Sequence, residues 1–431
     1  MKHTIRLLAW STSLGLFACN AQNNDPIPDK PIRTQAPETQ GTNNPSAGSD
    51  QSKDSLPGRG TPLTYTALAK ISREQLDTIF EGLGPKAKNG IYIYGFTYVT
   101  TTPDPSPQSI KASGILIIPD SNAKVYPWIS LQHGTIVSDA DAPSVRPGEG
   151  VFEGAQGFVT VVMDYIGYGA SKDIFHPYMI EQAYGDAGVD ILKAARAFAA
   201  TKQVKVGPLF LKGYSEGGYA TLALQKALET KYPNEFQLVA SAPSAGPYDL
   251  ETTGRILLAK DKANPINIPF VLLSYARWKD QQKAFDPADF FAIPVETVNP
   301  LFSGAYTNED VYKALPTATE ELFKAATITD FVADEPQLPS VKLFRSWLVK
   351  ESLHNQDWVP TTPTVFFHCT DDEAVPVEAS RVTVAAFKAK NPNAQVVLQE
   401  IPSPEGSTPY THVTCPAIYS PTLWFSRVLQ K

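Results

Sequence analysis

Leu209, Phe210, Leu211 and Lys212 form a short strand-like run that enters Gly213-Tyr214-Ser215-Glu216-Gly217-Gly218, and residues 219–228 continue with a helical pattern. A strand that turns directly into a helix belongs to layered α/β architecture, in which helices cover the faces of a mostly parallel sheet. The G-x-S-x-G spacing adds a chemical constraint. The glycines leave room for a sharp, strained turn that lifts the Ser215 hydroxyl above the sheet edge. A serine hydroxyl is a weak nucleophile at neutral pH, so catalysis there requires a histidine base and a carboxylate to orient it. The plainer reading is a serine in a glycine turn that starts a helix.

The rest of the chain repeats the alternation. Strand patterns fall at 91–100, 113–118, 127–132, 158–163, 209–212, 237–241, 364–368 and 395–400, and helical ones at 184–200, 216–232, 378–390 and 416–429. Between Tyr248 and Pro360 the strand signal disappears, while 268–279, 308–315 and 320–326 look helical. That stretch is too long for a loop and reads as a helical cap inserted at about 250–360. Its aromatics Phe270, Tyr275, Trp278, Phe285, Phe290, Phe291, Phe302 and Tyr306 either line an acyl tunnel or form the cap's own core.

Composition removes several classes of function. With 42% hydrophobic residues in 431, the chain can bury a sizeable core. A formal net charge of -7 and no Lys/Arg cluster leave no phosphate-neutralising stripe, which argues against nucleic-acid partners. Three cysteines are too few for a disulfide scaffold, and no C-x-x-C or H-E-x-x-H spacing offers a zinc site.

The N-terminus reads as an export signal over residues 1–18. Lys2, His3 and Arg6 precede an apolar run from Leu7 to Ala18 that is too short to span a bilayer. The run ends Leu16-Phe17-Ala18-Cys19, which resembles the lipobox of bacterial lipoproteins and implies a lipid anchor on Cys19 in the cell envelope. An ordinary cleaved secretory signal is the alternative. Residues 19–62 are polar and proline-rich, a composition that cannot offset its ordering entropy, and read as a disordered tether. The folded body is then 63–431.

The elbow at Ser215, the turn Asp164-Tyr165-Ile166-Gly167-Tyr168-Gly169 after the fourth strand, the helical cap and the stretch Asp357-Trp358-Val359-Pro360-Thr361-Thr362-Pro363 together resemble the α/β-hydrolase superfamily. Within it the body is most similar to the secretory lipase-like esterases. The resemblance implies hydrolysis of a small-molecule or lipid ester through an acyl-enzyme on Ser215, without metal or organic cofactor. In this fold the acid and then the histidine follow the serine in the chain. His3, His133 and His176 precede Ser215, which leaves His354, His368 and His412. His354 falls in the cap and His368 ends an apolar strand, whereas His412 follows the last strand and is the candidate base. Asp371, Asp372 and Glu373 compete for the acid. The run from His368 to Pro376 resembles the superfamily signature H-G-x-x-D-x-x-V-P with Cys369 in place of Gly, and its register implies Asp372.

The oxyanion donors are expected to be the backbone N–H of Glu216 and one from Gln132-His133-Gly134-Thr135, with Thr135 ahead of His133 and Gly134. Asp164 reads as a structural turn carboxylate. Cys369 and Cys415 each stand three residues from a proposed triad member, so the pair could reach disulfide distance; two buried free thiols are the alternative. Three rival functions remain: a serine peptidase of the same fold, an acyltransferase, and a non-catalytic binding lipoprotein built on a dead site.

Overall fold

The computed structural model describes residues 56–82 and 84–430. The expected signal, Cys19 and most of the expected tether lie outside these residues.

Nine strands form one sheet: β1 Pro62–Ile71, β2 Gly90–Thr101, β3 Ser109–Asp120, β4 Tyr126–Gln132, β5 Val159–Met163, β6 Val206–Tyr214, β7 Leu238–Ser244, β8 Thr364–Cys369 and β9 Val396–Ile401. Their spatial order is β1-β2-β3-β5-β4-β6-β7-β8-β9. Pairing is antiparallel from β1 through β3 to β5, and parallel from β5 onward to β9. The core helices are α1 Arg73–Ile79, α2 Val151–Ala155, α3 Glu181–Thr201 and α4 Glu216–Lys231. Between β7 and β8 come α5 Leu250–Leu258, α6 Asn267–Trp278, α7 Val295–Val298, α8 Asn308–Ala314, α9 Thr319–Leu322, α10 Ala325–Val332 and α11 Pro339–Glu351, and the chain ends with α12 Glu378–Lys390 and α13 Pro421–Val428.

Strand β6 explains why both faces are covered. Leu209 and Leu211 point into the larger apolar cluster with α3, α4 and the helices after β7, while Phe210 points to the opposite face and meets Phe158 and Phe425. A strand buried on both sides reads as a continuous apolar run, the pattern visible in the sequence.

The structure departs from the sequence reading where that pattern is absent. Strand β1 has no period-two burial because it lies at the sheet edge with Tyr65 and Leu68 exposed. The body is engaged slightly before residue 63, since Arg59 pairs with Asp190 at 2.9 Å and Gly60 donates to the Val99 carbonyl. The expected helix over 320–326 is split into α9 and α10. Phe323, extended and buried between them, bridges to Phe291 and stacks on its ring at 5.7 Å. The final helix is shorter than expected: Pro421 occupies its first turn, and the Ser420 hydroxyl accepts the Leu423 N–H.

Candidate active site

Every loop that contributes to the site leaves the C-terminal end of a parallel strand, the edge at which open α/β sheets gather their ligands. The register brings these ends together: Gln132 of β4 lies opposite Gly213 of β6, and Tyr214 opposite Ser244 of β7.

Ser215 has φ 61° and ψ -124°, a costly conformation for a residue with a Cβ. Packing around the turn holds it there. A Cβ on Gly213 would stand 2.2 Å from the Gly217 carbonyl oxygen, and one on Gly217 would stand 2.0 Å from that of Gln132. Only glycine allows α4 to start this close to β4 and β6. The Ser215 N–H donates to the Ser244 carbonyl at 3.0 Å, which ties the turn to β7.

The Ser215 Oγ lies 2.8 Å from His412 Nε2, and His412 Nδ1 lies 2.7 Å from Asp372 Oδ2. A carboxylate only accepts, so Nδ1 carries the hydrogen and Nε2 is free to accept the Ser215 proton. Asp372 is buried. Its Oδ1 accepts the N–H groups of Ala374 at 3.1 Å and Val375 at 2.8 Å. Burial pushes the Asp372 carboxyl up, but the hydrogen bond from His412, with the Val375 N–H, outweighs it and holds the carboxyl below the usual aspartate value.

Three further groups hold the histidine loop. The Tyr214 hydroxyl donates to the His412 carbonyl at 2.8 Å and lies 3.4 Å from Asp372 Oδ2. Glu373 Oε2 accepts the His412 N–H at 2.9 Å. Cys369 and Cys415 are joined as a disulfide, with Cα atoms 6.0 Å apart. The sequence reading did not assign Tyr214 or find a supporting role for Glu373, since their partner lies in a loop far along the chain.

Glu216 is the first residue of α4, so its backbone N–H has no intrahelical acceptor. Its buried side chain turns away, accepting from Tyr184 Oη at 2.9 Å and lying 3.0 Å from His176 Nε2. The loop over 133–135 runs beside the serine, and a Cβ on Gly134 would lie 4.0 Å from that of Ser215. The Thr135 hydroxyl is bonded to Tyr178 Oη at 2.9 Å.

The other candidate groups are structural here. His368 is buried, its Nε2 facing the Val375 carbonyl at 2.9 Å and its Nδ1 facing Ser380 Oγ at 2.7 Å; burial lowers its pKa. Burial likewise lowers that of His354. Asp371 bonds Ser403 away from the histidine ring. Asp164 accepts from Ser113 Oγ and from both the N–H and Oγ of Ser144, fastening the turn after β5.

An apolar cavity opens at Ser215 and runs under α5 and α6, lined by Leu250, Gly254, Leu257, Val271, Phe331 and Phe344. None of the eight aromatics singled out in the sequence lines it. Phe270, Tyr275, Phe285, Phe290, Phe291 and Phe302 are buried in the core cluster instead.

A mostly parallel sheet with a serine held at positive φ between its central strand and the following helix defines an α/β-hydrolase fold, and the solved structures that resemble this chain agree. The rice cell wall degrading esterase LipA from Xanthomonas oryzae is 26% identical and superposes with a TM-score of 0.72, covering 87% of this chain and 96% of its own. A Legionella pneumophila protein named as a hydrolase is 22% identical with a TM-score of 0.75, over 86% of this chain and 98% of its own. Candida antarctica lipase A in its closed state is 18% identical, with a TM-score of 0.60 over 86% of this chain and 82% of its own. At these last two identities the likeness is one of fold. The sequence matches no protein-family model and no curated protein. No helix among the described residues is long and apolar enough to cross a membrane.

Proposed function

We propose that the protein is a serine hydrolase that cleaves carboxylic esters through an acyl-enzyme on Ser215. The observation that carries this reading is the unbroken chain from Ser215 Oγ through His412 to Asp372, at 2.8 and 2.7 Å, set at the mouth of an apolar cavity. Its likeness to an esterase over most of both chains supports the same chemistry.

In the acylation step Ser215 Oγ attacks the ester carbonyl carbon while its proton passes to His412 Nε2. Asp372 holds the imidazole in the tautomer that can accept, and stabilises the imidazolium that forms. Charge then develops on the carbonyl oxygen, where the N–H groups of Glu216 and Thr135 are the proposed donors. The bond to the leaving alcohol breaks as His412 returns the proton to it. Water, deprotonated by the same nitrogen, attacks the acyl-enzyme and releases the acid and Ser215. The apolar lining suits an acyl chain, which makes lipid or other alkanoyl esters the substrate class. Glu216 is the acidic residue on this lining, and its carboxylate is turned away onto Tyr184 and His176 instead of facing a peptide amine, so an ester fits the cavity better than a peptide.

The test is hydrolysis of p-nitrophenyl esters from acetyl to palmitoyl beside a dipeptide amide panel, with Ser215→Ala as control. Ester turnover lost in the variant is the expected result. Ser215-dependent cleavage of amides alone would make it a peptidase, and silence on both would leave a binding protein. We also propose that residues 1–18 are an export signal and that Cys19 is lipidated, on the strength of the apolar run ending at Ala18-Cys19. An N-terminal peptide whose mass lacks the acyl groups would refute the anchor.

A further inference from the structure

The loop that follows β4 is gripped from outside by one side chain of the inserted helices. Asn308, the first residue of α8, donates from Nδ2 to the Thr135 carbonyl at 2.8 Å and accepts the Val137 N–H at Oδ1, 3.0 Å away. These backbone groups belong to residues two apart, so the amide pairs with the loop as the edge of a neighbouring strand would. The partners also fix the amide's orientation, since the flipped form would oppose carbonyl to carbonyl and N–H to N–H. The grip continues beside it, where Asp139 donates to the Gly304 carbonyl at 2.8 Å. From within, Tyr168 Oη donates to the Ile136 carbonyl and Tyr178 Oη meets the Thr135 hydroxyl. Tyr178 is itself stacked on Phe270 of α6, with ring centroids 4.6 Å apart and planes 11° apart. Among the described residues no acceptor meets the Thr135 N–H.

We propose that Asn308 is a positioning residue for the oxyanion hole. By holding the carbonyl of Thr135 and the N–H two residues on, it fixes the two peptide units that follow the Thr135 Cα, while His133 Nδ1 donates at 2.7 Å to the Gly134 carbonyl of the unit that carries the Thr135 N–H; clamped on both sides, that N–H stays directed at the space beside Ser215. The inference rests on the proposed roles of Ser215 and Thr135. It goes beyond them in making the inserted helices part of the catalytic scaffold: at α8 they cannot lift from the site without releasing the oxyanion loop. A donor contributes only when it is held where charge develops, and loss of one such donor costs enzymes about 100- to 1000-fold in rate. Loss of its support should cost part of that.

The experiment compares Asn308→Ala with Asn308→Asp on a soluble p-nitrophenyl ester. The aspartate has the same shape and still accepts from Val137, but sets an oxygen against the Thr135 carbonyl. Both variants are expected to lose about 10- to 100-fold in kcat with KM changed by less than about threefold, the pattern of an interaction made in the transition state. Inhibition by an alkyl trifluoromethyl ketone, whose oxygen becomes an oxyanion on addition of the serine, should weaken by a similar factor. A looser fold alone would not give that pairing, and circular dichroism melts report folding separately. Unchanged kcat and ketone affinity in folded variants would overturn the proposal. So would loss of folding in both, which would make Asn308 a stability residue. Ester turnover that survives Ser215→Ala would instead defeat the underlying reading, and this one with it.

Discussion

Cys369 and Cys415, bonded to each other, stand three residues before Asp372 and three after His412, so the loops of the proposed acid and base hang from one cross-link. In the chain-entropy account, closing a loop across a sequence separation of 46 stabilises by about 4 kcal/mol. Both cysteines are fully buried. They should therefore resist alkylation without reductant and label after denaturation and reduction. Replacing both with serine should lower the melting temperature and reduce kcat more than it raises KM, because the bond holds the His412 loop rather than the substrate. Labelling of either cysteine in the unreduced native protein would contradict this.

Tyr214 supports the same loop by a hydrogen bond. Burial, with Asp372 beside it, pushes its phenol well above the ordinary value, so the group stays protonated and donates to the His412 carbonyl. Removing one such bond costs about 1 kcal/mol, equivalent to about fivefold if it is felt wholly in the transition state. Tyr214→Phe should therefore lose about fivefold in kcat with KM unchanged. Wild-type kcat in a variant with a lowered melting temperature would reduce Tyr214 to a packing residue.

Gly254 lies on the wall of the cavity that begins at Ser215, and a Cβ there would meet Phe331 Cζ at 3.1 Å. Gly254→Val forces branched bulk between α5 and that ring, at an overpacking cost of about 1–3 kcal/mol. If acyl chains occupy this cavity, turnover of octanoyl and longer p-nitrophenyl esters should fall while acetyl and butyryl esters are largely retained. A uniform loss across the series would mean the acyl group lies elsewhere.

How much of this could be read from residues alone depends on whether the signal is local. Ser215 announces itself because its glycines answer a steric demand within one turn, and of the three histidines that follow it His412 stands out by its place beyond the last strand. Asp372 was set apart from Asp371 and Glu373 only by the likeness of the run ending at Val375-Pro376 to a superfamily signature, and in the structure Val375 donates to it. The sheet was legible wherever burial on both faces makes a strand a continuous apolar run, and illegible at β1, whose outward residues break the pattern. Tyr214, Glu373 and Asn308 give no comparable sign. Each acts on a backbone group that the fold delivers from far along the chain. Of the two readings left open for the cap aromatics, core or tunnel, the structure takes the core for Phe270, Tyr275, Phe285, Phe290, Phe291 and Phe302, while the faces of Phe331 and Phe344, which do line the cavity, are set by tertiary packing.

Asp372 offers a test in pH. An unfolded aspartate titrates near ~3.9, and the His412 hydrogen bond and the Val375 N–H hold the folded value lower despite burial. A carboxyl with a depressed folded pKa binds fewer protons in the native state over this interval. Its stabilisation is therefore complete above the unfolded value and is lost as pH falls through the folded one. Asp372→Asn keeps the shape and cannot ionise. Its stability deficit, from urea midpoints between pH 7 and pH 3, should stay constant down to about pH 4 and narrow below it. At neutral pH the same variant should lose about 10,000-fold in kcat, because an amide can hold the imidazole in the tautomer unable to accept the Ser215 proton. A deficit that widens below pH 4 would mean that the native protein favours the protonated acid, contrary to the hydrogen bonds that surround it.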